Sequence, residues 1–173
     1  MANPTDPEVW LRGPVAGIPA LLQPVAHSLL QCREELTAII PTLSTDQFWD
    51  RPGGAASIGF HLRHAAGSLD RLFTYAKGET LSTAQRAALA AEGAADLAPH
   101  PGARFLAAFE ESVERALAQL RNTPEDSLLE FRGVGRAGLP STVLGLLFHA
   151  AEHTQRHAGQ IATTAKVVRA KTE

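Results

Sequence analysis

The chain has 173 residues, of which 45% are hydrophobic and 20% are charged, and its formal net charge is −2. This composition is typical of a globular protein with one core of ordinary size, so a single domain spanning residues 1–173 is predicted. The 16 Lys and Arg residues are scattered and balanced by 18 Asp and Glu residues, which argues against nucleic acid or an anionic membrane as a partner.

The N-terminal sequence and the single cysteine bear on the cellular compartment. The first residues lack the positive segment and the apolar core of a signal peptide, and no apolar run approaches the ~20 residues of a membrane span. Cys32 is the only cysteine, so no internal disulfide can form. These features predict a cytoplasmic protein that does not enter a membrane.

The first half of the chain predicts two amphipathic helices. Prolines near the start forbid a long early helix, because each lacks a backbone donor. The first helix begins near Pro24, carries apolar residues at intervals of three and four, and ends at Pro41. After a connection in which Ser44 caps a short turn, the second helix begins near Ser57 and ends near Gly78.

The second half predicts two more long helices. Residues 81–97 are alanine-rich with dispersed charge, which indicates a short surface helix followed by a loop. The third amphipathic helix covers Ala103–Arg121, and residues 122–140 form a long connection that includes a short hairpin. The fourth helix begins near Pro140 and runs to about Val168. The predicted fold is therefore all-α, a four-helix bundle with a long connection between the third and fourth helices.

Histidines are the main chemical signal, because five of the seven lie in two short helical segments. These are His61 and His64 on the second predicted helix, and His149, His153 and His157 on the fourth. Spacings of three and four place each group on one helix face. Two imidazoles one turn apart can share a metal ion, and a third from a facing helix completes a three-histidine shell with an open coordination position. His27 and His100 are predicted to have no ligand role.

Other metal chemistries of helical proteins can be compared with the same residues. A carboxylate di-iron bundle needs a Glu-x-x-His on each of two helices, but Ala150 stands three residues before His153. A histidine and methionine haem site is excluded, because Met1 is the only methionine. His149 and His153 match the inverzincin spacing H-x-x-E-H, with Glu152 as a candidate base, although the pattern is short and lies in an alanine-rich helix.

Two segments together resemble the DinB-like (DinB/YfiT) superfamily. SIGFHLRH places a histidine seven residues after a helix-starting serine, and HTQRHAGQI contains an H-x-x-x-H followed by Gly-Gln. The resemblance covers nearly the whole chain. It implies a divalent ion, nickel or zinc first and manganese or iron second, held by one histidine of the second helix and both histidines of the H-x-x-x-H. Carried over residue by residue, these ligands are His64, His153 and His157.

The neighbours of these three positions are less clearly assigned by the resemblance. Gly159 is expected to be a close-packing residue, and Gln160 an orienter of a neighbouring group. His61 and His149 each lie one turn from an implied ligand, so either could hydrogen-bond to a ligand, line the pocket or replace a ligand. Ala158 stands where many members of the superfamily carry a basic residue.

The resemblance narrows the function without selecting one reaction. Characterised members include S-transferases and isomerases that use low-molecular-weight thiols, and many are classed as metal-dependent hydrolases. A three-histidine ion with an open position can deprotonate bound water or a bound thiol. We therefore expect an S-transferase or hydrolase with a small-molecule substrate, and the resemblance also implies homodimers. No catalytic base is assigned, since helical phase puts Glu152 about 100° from His153. The alternative is a non-catalytic metal-stabilised binding or stress-response protein, in which a fourth protein ligand closes the site.

Overall fold

The computed structural model describes residues 7–96 and 98–171, which are mostly helical. The helices are α1 (Gln23–Ile39), α2 (Thr45–Trp49), α3 (Ile58–Ala76), α4 (Thr83–Ala91), α5 (Pro101–Arg121) and α6 (Val143–Ala170). The strands β1 (Phe131–Val134) and β2 (Leu139–Thr142) pair antiparallel. Short 3-10 turns cover Val9–Arg12, Ala20–Leu22, Ile40–Thr42, Pro52–Gly54 and Glu125–Ser127. The first to fourth predicted helices correspond to α1, α3, α5 and α6.

Hydroxyl side chains fix where several helices begin. Ser44, Ser57, Ser82 and Thr142 each accept a hydrogen bond from the backbone N–H three residues onward, at the starts of α2, α3, α4 and α6 respectively. Such a cap contributes about 1 kcal/mol, because it satisfies a donor that the helix leaves unpaired. The predicted starts at Ser44 and Ser57 are confirmed. The caps of Ser57 and Thr142 thus fix the first residues of α3 and α6, which carry the histidines.

The start of α6 differs from the sequence prediction. Pro140 does not open the helix but lies in β2, paired with Gly133 of β1. The hairpin ladder continues as far as Thr142, which then caps α6, so the helix begins at Val143. The proline is tolerated there because a two-stranded ribbon consists of edge strands. The predicted hairpin inside the long connection is confirmed.

The four long helices pack around a common apolar core. α3 contacts α6 and α5, while α1 contacts α6 and α5 from the other side. Their apolar stripes meet in the centre, where burying each large side chain contributes about 1.5–3 kcal/mol. The fully buried members include Leu29, Leu36, Leu62, Leu69, Phe109, Leu120 and Leu147. Within the described residues, no helix has both the length and the hydropathy that crossing a membrane requires.

Two glycines have opposite surroundings. A Cβ on Gly59 in α3 would lie 2.4 Å from the Trp49 ring and 2.7 Å from the Phe48 ring, so this glycine lets α2 approach α3 closely. A Cβ on Gly159 in α6 would meet nothing within 4 Å, and the residue is exposed. The expectation that Gly159 packs closely is therefore wrong, and Gly59 has that role instead.

Replacing each glycine with alanine should shift thermal unfolding in opposite directions. Gly59→Ala should cost about 1–3 kcal/mol of unfolding free energy, because the new methyl group overlaps two aromatic rings. Gly159→Ala should gain about 0.5–1 kcal/mol, since alanine favours a helix over glycine. Differential scanning calorimetry of both variants checks the prediction. Equal shifts of the two melting temperatures would contradict it.

Candidate metal centre

The antiparallel packing of α3 against α6 brings the two histidine groups together. From the N-terminal end of α3 onward, His61 faces His157 and His64 faces His153. The ring centroids of the two pairs are 5.1 Å and 5.2 Å apart. Partner numbers fall along α6 as they rise along α3, so both pairs depend on one register between the two helices. The structure thus joins the two segments that the sequence singled out.

Three imidazole nitrogens converge in this arrangement. His64 Nε2 lies 3.0 Å from His153 Nε2, and His157 Nε2 lies 3.2 Å from the same atom. Among the described residues, His64, His153 and His157 form a group that could hold a metal ion, with ligand atoms all within 4.8 Å of one another. An ion about 2.1 Å from each nitrogen would see the two close pairs at angles of about 90–100°. The spacing therefore fits a shared divalent ion.

Burial keeps the rings of His153 and His157 neutral and their lone pairs available. Burial, followed by the charges of His153, His64 and His61, lowers the pKa of His157 from 6.5 to about 3. Burial, followed by the nearby His64, lowers the pKa of His153 in the same way. A metal needs unprotonated imidazole, so at neutral pH these rings are in the form that binds an ion.

One atom in the cluster lacks a partner. Across the part of the chain that the structure describes, His153 Nδ1 is the buried side-chain polar atom without a hydrogen-bond partner. A neutral imidazole needs an acceptor for its N–H or a donor for its lone pair. The polar interactions of His153 are therefore concentrated on its Nε2, where the three rings meet.

A buried carboxylate stands behind His64. Glu92 Oε2 accepts from His64 Nδ1 at 2.7 Å, and Glu92 Oε1 accepts from Arg71 at 2.6 Å. Burial raises the pKa of Glu92, but the hydrogen bonds from His64 and Arg71 outweigh that effect and leave it below its ordinary value. An ionised acceptor holds the proton of His64 on Nδ1, which directs the Nε2 lone pair at the cluster.

Gly67 makes the position of Glu92 possible. A Cβ at Gly67 would lie 2.5 Å from Glu92 Oε1 and 2.6 Å from an Arg71 nitrogen. Sequence reasoning missed Glu92, Gly67 and Arg71 and treated residues 81–97 as surface structure. His64, Gly67 and Arg71 do share one face of α3 through spacings of three and four, which was the available signal. Nothing in the sequence around Glu92 indicates that this side chain is buried.

His61 and His149 occupy different places around the cluster. His61 is buried, and its Nδ1 lies 3.0 Å from His157 Nδ1, on the side of that ring away from the converging nitrogens. His149 is exposed, and its Nδ1 lies 2.6 Å from Glu152 Oε1. The His149 ring centroid lies 5.4 Å from that of His153, so His149 stands at the rim of the cluster.

The remaining residues of interest lie outside the cluster. Glu152 also accepts from Arg156 at 2.6 Å, so its carboxylate is engaged along the helix surface. Gln160 is exposed on α6. His27 contacts the carbonyl oxygen of Gly13 at 3.0 Å, and His100 is exposed before α5.

The cluster has a buried side and an open side. His157 is buried, whereas His64 and His153 are partly exposed. Phe60 stacks against His64, with ring centroids 5.5 Å apart. On the α5 side, a cavity of about 330 Å³ is lined by Glu92 together with Arg63, Gly67 and Phe105. Glu92 is therefore shared between the histidine cluster and this cavity.

Comparisons with known proteins identify the family and a similar fold. The family model of the DinB superfamily matches residues 28–161. A crystal structure of a conserved protein from Enterococcus faecalis has a similar fold, with a TM-score of 0.67 over 86% of this chain and 97% of that chain. The two sequences are 17% identical, so the likeness concerns the fold alone. A search of curated proteins gave no match.

Metal-free protein should lose stability as the pH falls below about 6.5. The pKa of His157 is 6.5 without perturbation and about 3 in the folded protein, so between these values the unfolded chain binds more protons. Protonation there favours unfolding, and the contribution of His157 is complete only above this window. Each kcal/mol lost from the free energy of unfolding should lower the melting temperature by about 2–4 °C. Thermal unfolding of chelator-treated protein across this pH range measures the effect.

The variant His157→Asn provides the control for this titration. It lacks the group that resists protonation, so its melting temperature should fall less steeply between about pH 6.5 and pH 5. Identical slopes for the variant and the wild type would contradict the assignment to His157.

Proposed function

We propose that this chain, which belongs to the DinB superfamily, is a metal-dependent enzyme that acts as a thiol S-transferase or as a hydrolase. The observation that carries the proposal is the convergence of three imidazole nitrogens, with neighbouring pairs 3.0 Å and 3.2 Å apart. Three neutral imidazoles are a donor set for a divalent transition metal and leave part of its coordination shell free.

His64, His153 and His157 are the proposed ligands, each through Nε2. Imidazole nitrogen suits nickel and zinc, with manganese and iron as weaker alternatives. A bound divalent ion with a free position lowers the pKa of a coordinated water or thiol toward neutrality. The partly exposed edges of His64 and His153 leave a side from which a small-molecule substrate, such as a low-molecular-weight thiol, can approach.

Two further residues hold the ligands in place. Glu92 accepts a hydrogen bond from His64 Nδ1, and His61 Nδ1 is positioned to accept a hydrogen bond from His157 Nδ1. Each contact fixes the tautomer in which Nε2 keeps its lone pair, and also fixes the ring orientation. His61 and Glu92 are therefore proposed as positioning residues. His149 and Gln160 are proposed as residues of the surface around the substrate approach.

The wider architecture belongs to the same proposal. The pairwise packing of α1, α3, α5 and α6 supports a DinB-type four-helix bundle formed by residues 1–173 as one domain. We further propose a homodimer in a reducing cytoplasm, which the resemblance and the single Cys32 favour. The alternative function is a metal-stabilised binding or stress-response protein without turnover.

Protein purified without an affinity tag should contain one divalent ion per chain. Replacing His64, His153 or His157 with alanine should abolish binding or weaken it by orders of magnitude, because each removes a ligand from a set of three. Elemental analysis and competition with a chelator measure stoichiometry and affinity. The matched controls are His27→Ala and His100→Ala, which should bind as the wild type does. A folded protein that takes up no nickel, zinc or manganese would overturn the metal site.

Glu92→Gln should weaken metal affinity by about 10–100-fold while the protein stays folded. The amide is nearly isosteric with the carboxylate but is uncharged, so it holds the Nδ1 proton of His64 less firmly. Glu79→Gln is the control, because Glu79 is exposed and pairs with Lys77 beyond the end of α3. Competition titration with a chromogenic chelator compares the variants. Equal affinities for both would show that Glu92 does not position His64.

Removal of the metal should abolish activity at modest cost to stability, because the apolar core does not include the ion. The assays offer low-molecular-weight thiols with electrophiles and, separately, ester or amide substrates. Unfolding temperatures of the metal-free and metal-loaded protein are measured alongside. Collapse of the structure on chelation, with no turnover in either assay, would favour the non-catalytic alternative.

A further inference from the structure

A second cavity lies on the opposite face of α6 from the histidines. It measures about 500 Å³, and it is bordered by the Val9–Arg12 turn, α1 and α6. Its lining includes Glu8, Trp10, His27, Gln31, Glu35 and Gln155. Gln155 is two residues from both His153 and His157, so its side chain leaves α6 on the other side. The cavity is therefore separate from the candidate metal centre, and its size suits a small ligand.

The charge of this cavity has one sign. Glu8 and Glu35 line it, and none of its described lining residues is Lys or Arg. The nearby Arg12 is held by Glu34, through contacts of 2.6 Å and 2.9 Å, and also donates to the Pro7 carbonyl oxygen. Its charge is thus balanced by a carboxylate outside the cavity.

Hydrogen bonds hold the lining in place without a ligand. The Gln31 amide accepts from Val9 N at 3.0 Å and donates to Glu35 Oε1 at 3.0 Å, so it ties the N-terminal turn to α1 and fixes one carboxylate. Gln155 Oε1 accepts from Cys32 Sγ at 3.0 Å. A lining fixed in this way loses little conformational entropy when a ligand binds.

Trp10 adds a feature that suits an ammonium group. Trp10 is 61% exposed although it lies beside the cavity, and its indole N–H donates to Glu8 Oε2 at 2.7 Å. The indole face attracts a cation through its quadrupole. His27 Nε2 lies 3.0 Å from the Gly13 carbonyl oxygen, which can only accept, so Nε2 is the donor and the ring is held at the edge of the cavity.

We propose that this cavity is a binding site for a small organic cation with primary ammonium groups. One ammonium donates to the carboxylate of Glu8 and a second to that of Glu35, while the alkyl chain between them packs on the indole of Trp10. Two carboxylates, with no Lys or Arg among the described lining residues, favour a diamine over a monoamine, because each ammonium then has its own counter-charge. The site does not depend on the metal centre.

The probe is 1,4-diaminobutane, added to chelator-treated protein at low ionic strength. The indole N–H resonance of Trp10 should shift saturably in a heteronuclear NMR titration. The resonance of Trp49, whose N–H donates to the Asp96 carbonyl oxygen at 2.9 Å, should stay in place and serves as an internal control. The uncharged analogue 1,4-butanediol should produce no saturable shift, and added salt should weaken the diamine.

Isothermal titration calorimetry of variants tests which carboxylates bind the diamine. Glu8→Gln and Glu35→Gln should each weaken the diamine by roughly fivefold, the upper range for an exposed ion pair. Trp10→Ala should also weaken it, and the fold should survive because Trp10 is exposed. Glu79→Gln makes the same change of net charge far from the cavity and should leave affinity unchanged.

Three outcomes would overturn the proposal. These are the absence of a saturable Trp10 shift, an equal response to butanediol, and an equal loss of affinity in Glu79→Gln. The last would show attraction to the overall charge of the protein rather than to this cavity. None of these results bears on metal binding, so failure here and failure of the proposed enzyme are distinguishable.

Discussion

The contact between α3 and α6 is the constraint on which the candidate metal centre depends. Small buried side chains occur on both helices, including Ala65 on α3 and Ala150 and Ala158 on α6. Small residues let two helix axes approach closely, and the histidines then reach across. A slip of one helical turn, about 5.4 Å, would separate His64 from His153 and His61 from His157, which are the nitrogen–nitrogen contacts between the two helices. The hydroxyl caps at Ser57 and Thr142 fix where each helix begins and so support this register.

Burial and charge act together on the imidazoles. Desolvation lowers the pKa of His61, His153 and His157, so these rings resist protonation. The Nε2 atoms of His64, His153 and His157 face one another. Facing lone pairs repel, and a cation resolves that repulsion better than a proton on one ring does. Glu92 adds an ionised carboxylate behind His64, and Arg71 balances the charge of that carboxylate. The centre is therefore arranged for a cation before one binds.

Stability and chemistry are carried by different parts of the molecule. The buried core residues of α1 and α5 are apolar apart from Cys32, whose thiol has its pKa raised to about 12 by burial. Only α3 and α6 have both tasks, with an apolar face toward the core and histidines at its border. With this division, the histidines of the cluster can be replaced without dismantling the core. The cavity at Trp10 lies on the outer surface of α1, and none of its described lining residues belongs to the buried core.

The sequence by itself determined the local features of this protein. The spacing of apolar residues and the positions of Pro24, Pro41, Ser57 and Gly78 are short-range signals, and they predicted α1, α3 and α5 to within about two residues. The sequence also determined that the histidines of each group share one helix face, since spacings of three and four residues place side chains on the same face in any packing. The SIGFHLRH and HTQRHAGQI segments together indicated the family, which the match of the DinB superfamily model over residues 28–161 confirms.

Only the tertiary structure decided which groups meet across the molecule. Periodicity gave no distance between α3 and α6, so it left open whether His61 or His64 shares the cluster with His153 and His157. Packing places His64 there and puts His61 behind His157. Glu92 shows most clearly what the sequence could not predict. The segment that contains it has the composition of a surface helix, and the burial of Glu92 arises from contacts with Gly67 and Arg71 of α3. The missed start of α6 has the same origin, since strand pairing with β1 placed Pro140 in β2.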